Sequence, residues 1–112
     1  MNTLTQFGNV PKNDRDGYVY RRYIQHGAGV PFNFLTIDVY NGHPTKKVLH
    51  GIRNYYVVTG RGVFTIEGLN YEVFKGDLIT IQPGESYSYY GTMGLVEFNI
   101  DTGDGIAHED VE

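Results

Sequence analysis

Between Tyr55 and Tyr87 the chain carries apolar, β-rich runs separated by glycine-centred turns, and this stretch constrains the fold more than any other. The segment YYVVTGRGVFTIEGLNYEVFKGDLITIQPGESY is broken around Gly60 and Gly76 and closes on Pro83-Gly84. Aromatic and β-branched residues favour strands, whereas glycine and proline end them. The pattern therefore predicts short strands joined by tight turns, with no long helix.

The rest of the chain continues the same pattern. Phe32 to Tyr40 alternates apolar and polar residues with the period of two that a half-buried strand requires. In and beside the first stretch, the predicted strands are Asn54–Gly60, Val63–Gly68, Leu69–Lys75 and Asp77–Gln82. Outside it, strands are also predicted at Tyr18–Gln25, around Val48, at Ser86–Tyr90 and at Leu95–Ile100. About nine closely spaced strands predict an all-β sandwich or jelly-roll barrel, and the pattern alone does not choose between the two.

The length of 112 residues fits a single domain with one modest core. We predict a polar N-terminal arm over residues 1–16, a β domain over 17–101 and an acidic, glycine-broken tail over 102–112. No apolar run has the length of a signal peptide or a membrane span, so a soluble cytoplasmic protein without a membrane partner is expected.

Charge and cysteine content exclude several classes of function. A net charge of -4 argues against a nucleic-acid partner, which would need a clustered basic face. The basic pairs Arg21-Arg22 and Lys46-Lys47 favour a solvated strand edge, with a local anion site as the alternative. The chain has no cysteine, which rules out a disulfide, a thiolate metal site and a cysteine nucleophile.

The run from Gly76 to Gly91 resembles the second cupin motif, G-x5-P-x-G-x2-H-x3-N. Its glycine frame is kept at Gly76 and Gly84, but Gln82 stands at the proline position and Tyr87 at the histidine position. Gly91 takes the place of the terminal asparagine. The resemblance covers roughly Phe34 to Asn99 and implies a single cupin-type, jelly-roll β-barrel.

The first cupin motif, G-x5-H-x-H-x(3,4)-E-x6-G, is altered at its metal-ligand positions. Starting from Gly42, its two histidines fall on Val48 and His50, and its glutamate falls on Arg53 or Tyr55. The resemblance thus implies a degenerate metal site, and we predict no cofactor. A metal is not excluded, because His43, Glu97 or Asn99 could supply other ligands.

His50 and Tyr87 are the candidate catalytic pair, because a barrel would direct both into its cavity. An imidazole titrates near neutral pH, and a nearby cation such as Arg53 could help a phenol release its proton. By strand parity and position in the motifs, the predicted ligand-binding residues are Arg53, Tyr55, Val57, Tyr89 and Asn99. Glu97 and Asp38 are interpreted as charges at strand edges.

Three functions remain open at this point. The first is a small-molecule-binding cupin whose ligand is anionic or sugar-like. The second is a metal-independent isomerase, epimerase or lyase that uses His50 as base and Tyr87 as acid. The third is a protein-interaction module with a vestigial pocket. Outward aromatic residues, among them Tyr56, Tyr71 and Tyr90, favour a homodimer in each case.

Overall fold

A computed structural model describes residues 3–27, 29–100 and 108–110, with side chains described up to residue 100. A short 3₁₀ turn at Phe7–Asn9 precedes nine strands. The strands are β1 (Lys12–Arg15), β2 (Tyr18–Ile24), β3 (Phe32–Val39), β4 (Gly42–Val48), β5 (Ile52–Ile66), β6 (Leu69–Phe74), β7 (Leu78–Ile81), β8 (Ser86–Ile100) and β9 (His108–Asp110). Within these ranges, no helix has the length and apolar character to cross a membrane.

The nine strands form one antiparallel sheet organised around β8. Along one path the order is β1-β2-β3-β8-β4-β9, while β5 pairs with β8 and also with β6 and β7. In the ladder between β5 and β8, Arg53 lies opposite Asn99 and Tyr55 lies opposite Glu97. Both strands are 15 residues long, so each contributes side chains along the whole interior.

Strand β8 shows how the sequence chooses the interior face. Its residues alternate between buried and more exposed, as the period of two requires, and Tyr87, Tyr89, Leu95, Glu97 and Asn99 are among the buried ones. Buried residues of β3 to β8 form a single hydrophobic cluster. The inner face of the sheet therefore encloses one core, which confirms the predicted all-β jelly-roll fold.

Two glycine-rich stretches behave differently from the prediction. The sequence predicted separate strands on either side of Gly60 and Gly91, yet β5 and β8 run through these positions without a break. Gly91 has φ of +139°, and a Cβ there would lie 2.6 Å from the Cα of Gly62. Glycine at this point permits two backbones to approach closely instead of ending a strand.

Parts of the predicted arm and tail belong to the sheet. Lys12–Arg15, within the predicted arm, pairs with β2, and His108–Asp110, within the predicted tail, pairs with Lys46–Val48 of β4. The other residues of the predicted tail lie outside the described part of the chain.

Candidate functional site

A cavity of about 220 Å³ opens at one end of the interior, between β1 to β5 and β8. Its charged lining consists of Arg15, Arg22, Lys46, Arg53 and Glu97. Its rings come from Tyr18, Tyr20, His43, Tyr87 and Tyr89, and Asn33, Asn99, Leu35 and Ile37 complete the wall. The lining is thus aromatic and positively charged.

A buried ion pair lies at the polar end of the ladder between β5 and β8. Arg53 Nη1 is 3.5 Å from Glu97 Oε2, and both side chains are less than 10% exposed. Asn99 Nδ2 donates a hydrogen bond of 2.6 Å to the same carboxylate oxygen. Arg53 lies opposite Asn99, and Glu97 is two residues before Asn99 on the same face of β8. Strand register alone therefore brings the three groups together.

The tyrosines beside this pair are held in their neutral form. The hydroxyl groups of Tyr55 and Tyr87 are 2.8 Å apart and share a hydrogen bond. Burial raises the pKa of Tyr87 to about 12, although Arg53 acts in the opposite direction. Burial and the Glu97 carboxylate also raise the pKa of Tyr55 and of Tyr89 well above the usual value.

Arg53 remains a cation in spite of its burial. Desolvation acts to lower its pKa, but the neighbouring Tyr55, Tyr87 and Glu97 outweigh desolvation and raise it. The sequence suggested that Arg53 could help Tyr87 release a proton. Arg53 does lower the pKa of Tyr87, but the loss of hydration on burial has the larger effect.

His43 supplies the one imidazole in the described lining of the cavity. Its ring stacks on Tyr89 at a centroid distance of 4.7 Å and an angle of 17°, and on Tyr87 at 5.5 Å and 14°. Tyr18 contacts it at 5.2 Å with the rings tilted by 47°. Strand β4 places His43 directly opposite Tyr89 of β8, so three aromatic rings hold the imidazole in one orientation at the cavity wall.

The structure brings most of the residues predicted from sequence to one end of the interior. Arg53, Tyr87, Tyr89 and Asn99 line the cavity. Tyr55 is fully buried beside it, hydrogen bonded to Tyr87. Val57 belongs to the hydrophobic core.

His50 is not among the residues that line this cavity. Strand β4 ends at Val48, and His50 lies in the bend before β5 begins at Ile52. The imidazole that contacts the Tyr87 ring belongs to His43. A catalytic role for His50 stays an untested prediction.

The sequence interpretation named Glu97 and His43 as alternative metal ligands and did not place either in the cavity as a binding or catalytic residue. Glu97 is buried on β8, which is paired on both sides, and is not a strand-edge charge. Its parity with Asn99 was a signal that could have identified it. His43 gave no comparable signal, because the irregular register of β4 between His43 and Lys46 breaks the period of two.

The basic pairs Arg21-Arg22 and Lys46-Lys47 each place only one of their two residues in the cavity lining. Arg22 and Lys46 line the cavity, whereas Arg21 forms an ion pair of 3.8 Å with Asp38 and lies over the Phe7 ring. One member of each basic pair therefore lies in the cavity lining, where the local anion site was considered as the alternative to a solvated edge.

Three of the four cupin metal-ligand positions hold residues that do not fit a metal ion, and the fourth holds His50. Val48 has no ligand atom, and the Arg53 guanidinium would repel a cation and already pairs with Glu97. Tyr87 stands where a histidine would bind and is held protonated. Among the described residues, no group of three or more His, Cys, Asp or Glu side chains could hold a metal.

Comparisons with solved structures show the fold. Streptomyces Pac13 with a histidine changed to glutamine, in complex with uridine, superposes with a TM-score of 0.88 at 20% identity, over 100% of this chain and 92% of that one. A second Pac13 structure, described as a nucleoside dehydratase, gives 0.88 at 21% identity. The cupin domain of Schizosaccharomyces pombe Cnp3 gives 0.76 at 12% identity, over 89% of this chain and 74% of that one.

KdgF from Halomonas matches with a TM-score of 0.75 at 13% identity, covering 93% of this chain and 97% of its own. No family model matches the sequence. No curated protein matches it either.

Proposed function

Since this chain has the cupin fold, we propose that it is a metal-independent lyase that removes water from a small sugar or nucleoside bearing a carbonyl group. The observation that carries the proposal is the position of His43. It stacks on Tyr87 and Tyr89 in the wall of a cavity that also holds the buried Arg53–Glu97 pair. This arrangement offers a base, protonated hydroxyl donors and a fixed cation without a metal.

The structural likeness to Pac13 supports the class of reaction. That protein is described as a nucleoside dehydratase, and its uridine complexes carry substitutions at one histidine or at one of two tyrosines. A histidine and tyrosines also dominate the cavity of this chain. The volume of about 220 Å³ lies below the roughly 300–1,000 Å³ typical of larger ligand sites, which favours a compact ligand.

His43 serves as the base in the proposed reaction. Its imidazole takes a proton from a carbon next to the substrate carbonyl, and the electron pair of that C–H bond moves into the carbonyl group to form an enolate. The enolate then re-forms the carbonyl, its electron pair forms a carbon–carbon double bond, and the C–O bond to the hydroxyl on the following carbon breaks. The departing hydroxide takes the proton from the His43 imidazolium and leaves as water, so His43 ends neutral.

The tyrosines act as hydrogen-bond donors in this scheme and not as bases. Burial keeps Tyr87 and Tyr89 protonated, so each hydroxyl can donate to an oxygen that gains negative charge in the transition state. Arg53, fixed by Glu97, adds positive charge at the same end of the cavity. The substrate class is thus a carbonyl compound whose enolate-like oxygen these groups stabilise.

Comparing His43→Gln with His50→Gln tests the proposal and the sequence prediction together. Nuclear magnetic resonance in D₂O would follow water loss and deuterium uptake in a panel of keto and aldehydo sugars and nucleosides. We expect His43→Gln to reduce turnover by about 10²–10⁴-fold, the usual contribution of a general base, and His50→Gln to leave most of it. Full activity in His43→Gln, or no turnover of any panel member by the wild type, would overturn the proposal.

We also propose that two copies associate through the outer face of the sheet. Tyr56 and Phe74 are 46% and 49% exposed there, and Leu78 is 62% exposed, whereas Tyr71, which the sequence also assigned outward, lies opposite the buried Phe64 and on the same side of β6 as Val73. Large exposed apolar side chains of this kind are typical of protein interfaces. Sedimentation velocity should show a dimer that dissociates in Phe74→Ser; a monomeric wild type would contradict the proposal.

A further inference from the structure

Two arginines converge on one tyrosine ring in the lining of the cavity. Arg15 of β1 places its Cζ 5.2 Å from the centre of the Tyr20 ring, and its Nη2 donates a hydrogen bond of 3.1 Å to the Tyr20 hydroxyl. Arg22 of β2 has its Cζ 5.7 Å from the same ring. Both side chains line the cavity while remaining exposed to solvent, so they lie at its mouth.

Within residues 3–27 and 29–100, no carboxylate pairs with either of these arginines. Glu97 is the one carboxylate in the described lining, and it already pairs with Arg53. Because the whole protein has a net charge of -4, this positive mouth is a local feature and not a general property of the surface.

We propose that the mouth binds the phosphate group of a phosphorylated sugar or nucleoside, so that the substrate of the site is a sugar phosphate. This inference rests on the proposed function, because it names the substrate class of the same cavity. A phosphomonoester carries close to two negative charges and three acceptor oxygens, which two arginine forks can neutralise and bind. A carboxylate carries only one negative charge and would leave the positive charge of one arginine without a counter-charge.

The layout of the cavity gives the bound molecule a direction. The phosphate lies on Arg15 and Arg22, whereas the sugar ring reaches the interior wall formed by His43, Tyr87 and Tyr89. Tyr20 serves as a common platform that holds both guanidinium groups at the entrance. Arg15 and Arg22 are thus binding residues for the phosphate and not catalytic residues.

Calorimetric titration with a matched pair of probes tests the inference, since uridine and uridine 5′-monophosphate differ only in the phosphate. We expect the wild type to bind the monophosphate at least about tenfold more tightly than uridine. Arg15→Gln and Arg22→Gln should each weaken monophosphate binding by about tenfold and change uridine binding by less than about twofold. Arg21→Gln is the control, because it removes the same charge from the same strand outside the cavity.

Equal wild-type affinity for the two probes would overturn the inference, and so would an Arg21→Gln effect as large as that of Arg22→Gln. Glucuronate, a sugar carboxylate, is a third probe. If it binds more tightly than the monophosphate, and this binding depends on Arg15 and Arg22, the mouth binds a carboxylate and the phosphate inference is overturned. Circular dichroism confirms that each variant is folded.

Turnover by His43→Gln separates this inference from the proposed function. If turnover persists in that variant while the arginines still govern monophosphate binding, the lyase proposal fails and the phosphate site stands.

Discussion

The interior has two halves that follow the same strand geometry and contain opposite chemistry. Beneath β6 and β7, the inward residues Val73, Ile79 and Ile81 are aliphatic and no more than 8% exposed. At the cavity end, the inward positions hold Tyr20, Arg22 and other polar or aromatic side chains, and an open space remains. Alternation along a strand fixes only the direction of a side chain, while the residue type decides between a packed core and a site.

Strand β5 passes from one half to the other within a few residues. Its successive inward positions are Arg53, Tyr55 and Val57, which run from a buried cation through a hydrogen-bonded phenol to the aliphatic core. The polar half has to satisfy its own charges, because unpaired buried groups are costly. The two halves should therefore respond differently to substitution.

The largest effect is expected from breaking the buried ion pair. Glu97→Leu leaves Arg53 without its carboxylate and Asn99 without its acceptor, so we expect the free energy of unfolding to fall by about 3–5 kcal/mol. Urea denaturation measures the change. The double variant Arg53→Met/Glu97→Leu should recover most of the loss, and a single variant as stable as the wild type would show that the pair has no structural role.

A cavity in the packed half should reduce stability without affecting the site. Val73 of β6 is 4% exposed and pairs with Gly62, away from the cavity lining, so Val73→Ala should lower the free energy of unfolding by about 1–3 kcal/mol. At a temperature where the variant is folded, uridine affinity should stay within about twofold of the wild type. Leu69→Ala, on the same strand but 62% exposed, is the control and should cost less than about 0.5 kcal/mol.

Alkaline pH should destabilise the polar half through its tyrosines. The pKa of Tyr87 is raised from 10.0 to about 12, so the folded protein retains a proton that the unfolded chain releases. The stabilisation is complete below pH 10 and is lost as the pH rises towards 12, with a contribution from Tyr87 of about 3 kcal/mol. Urea midpoints measured across this range should fall less steeply for Tyr87→Phe than for the wild type.

A smaller effect is expected from the hydrogen bond between Tyr55 and Tyr87. Tyr55→Phe removes this bond and should cost about 1–2 kcal/mol. The bond helps to lower the pKa of Tyr87, so its loss should also raise that pKa further. Absorbance titration of the tyrosines detects this change, and an unchanged titration curve would contradict it.

Much of the fold could be predicted from sequence because its signals are local. Alternating runs and turn residues located the strands, and inward parity correctly placed Arg53, Tyr87, Tyr89 and Asn99 in the cavity. The continuity of β5 and β8 could not be predicted, because a glycine that ends a strand and one that permits a close crossing look alike in a sequence.

The site was harder to predict because its geometry depends on tertiary contacts. The irregular register of β4 moves His43 onto the cavity wall and breaks the pattern that would have revealed it. Glu97 shares the parity of Asn99, but the pairing of β8 on both sides, which excludes a strand-edge position for Glu97, is a tertiary feature. The pKa of Tyr87 depends on a balance between burial and the charge of Arg53, and the sequence shows only the second of these.

Strand β1 links ligand entry to local unfolding. It carries Arg15 into the cavity lining, yet within the described chain its four residues pair only with β2. Detaching it breaks one short ladder and leaves the hydrophobic cluster of β3 to β8 in place. We therefore expect the entrance to open far more often than the protein unfolds, so the amides of β1 should exchange with solvent much faster than those of β8, and bound ligand should slow that exchange.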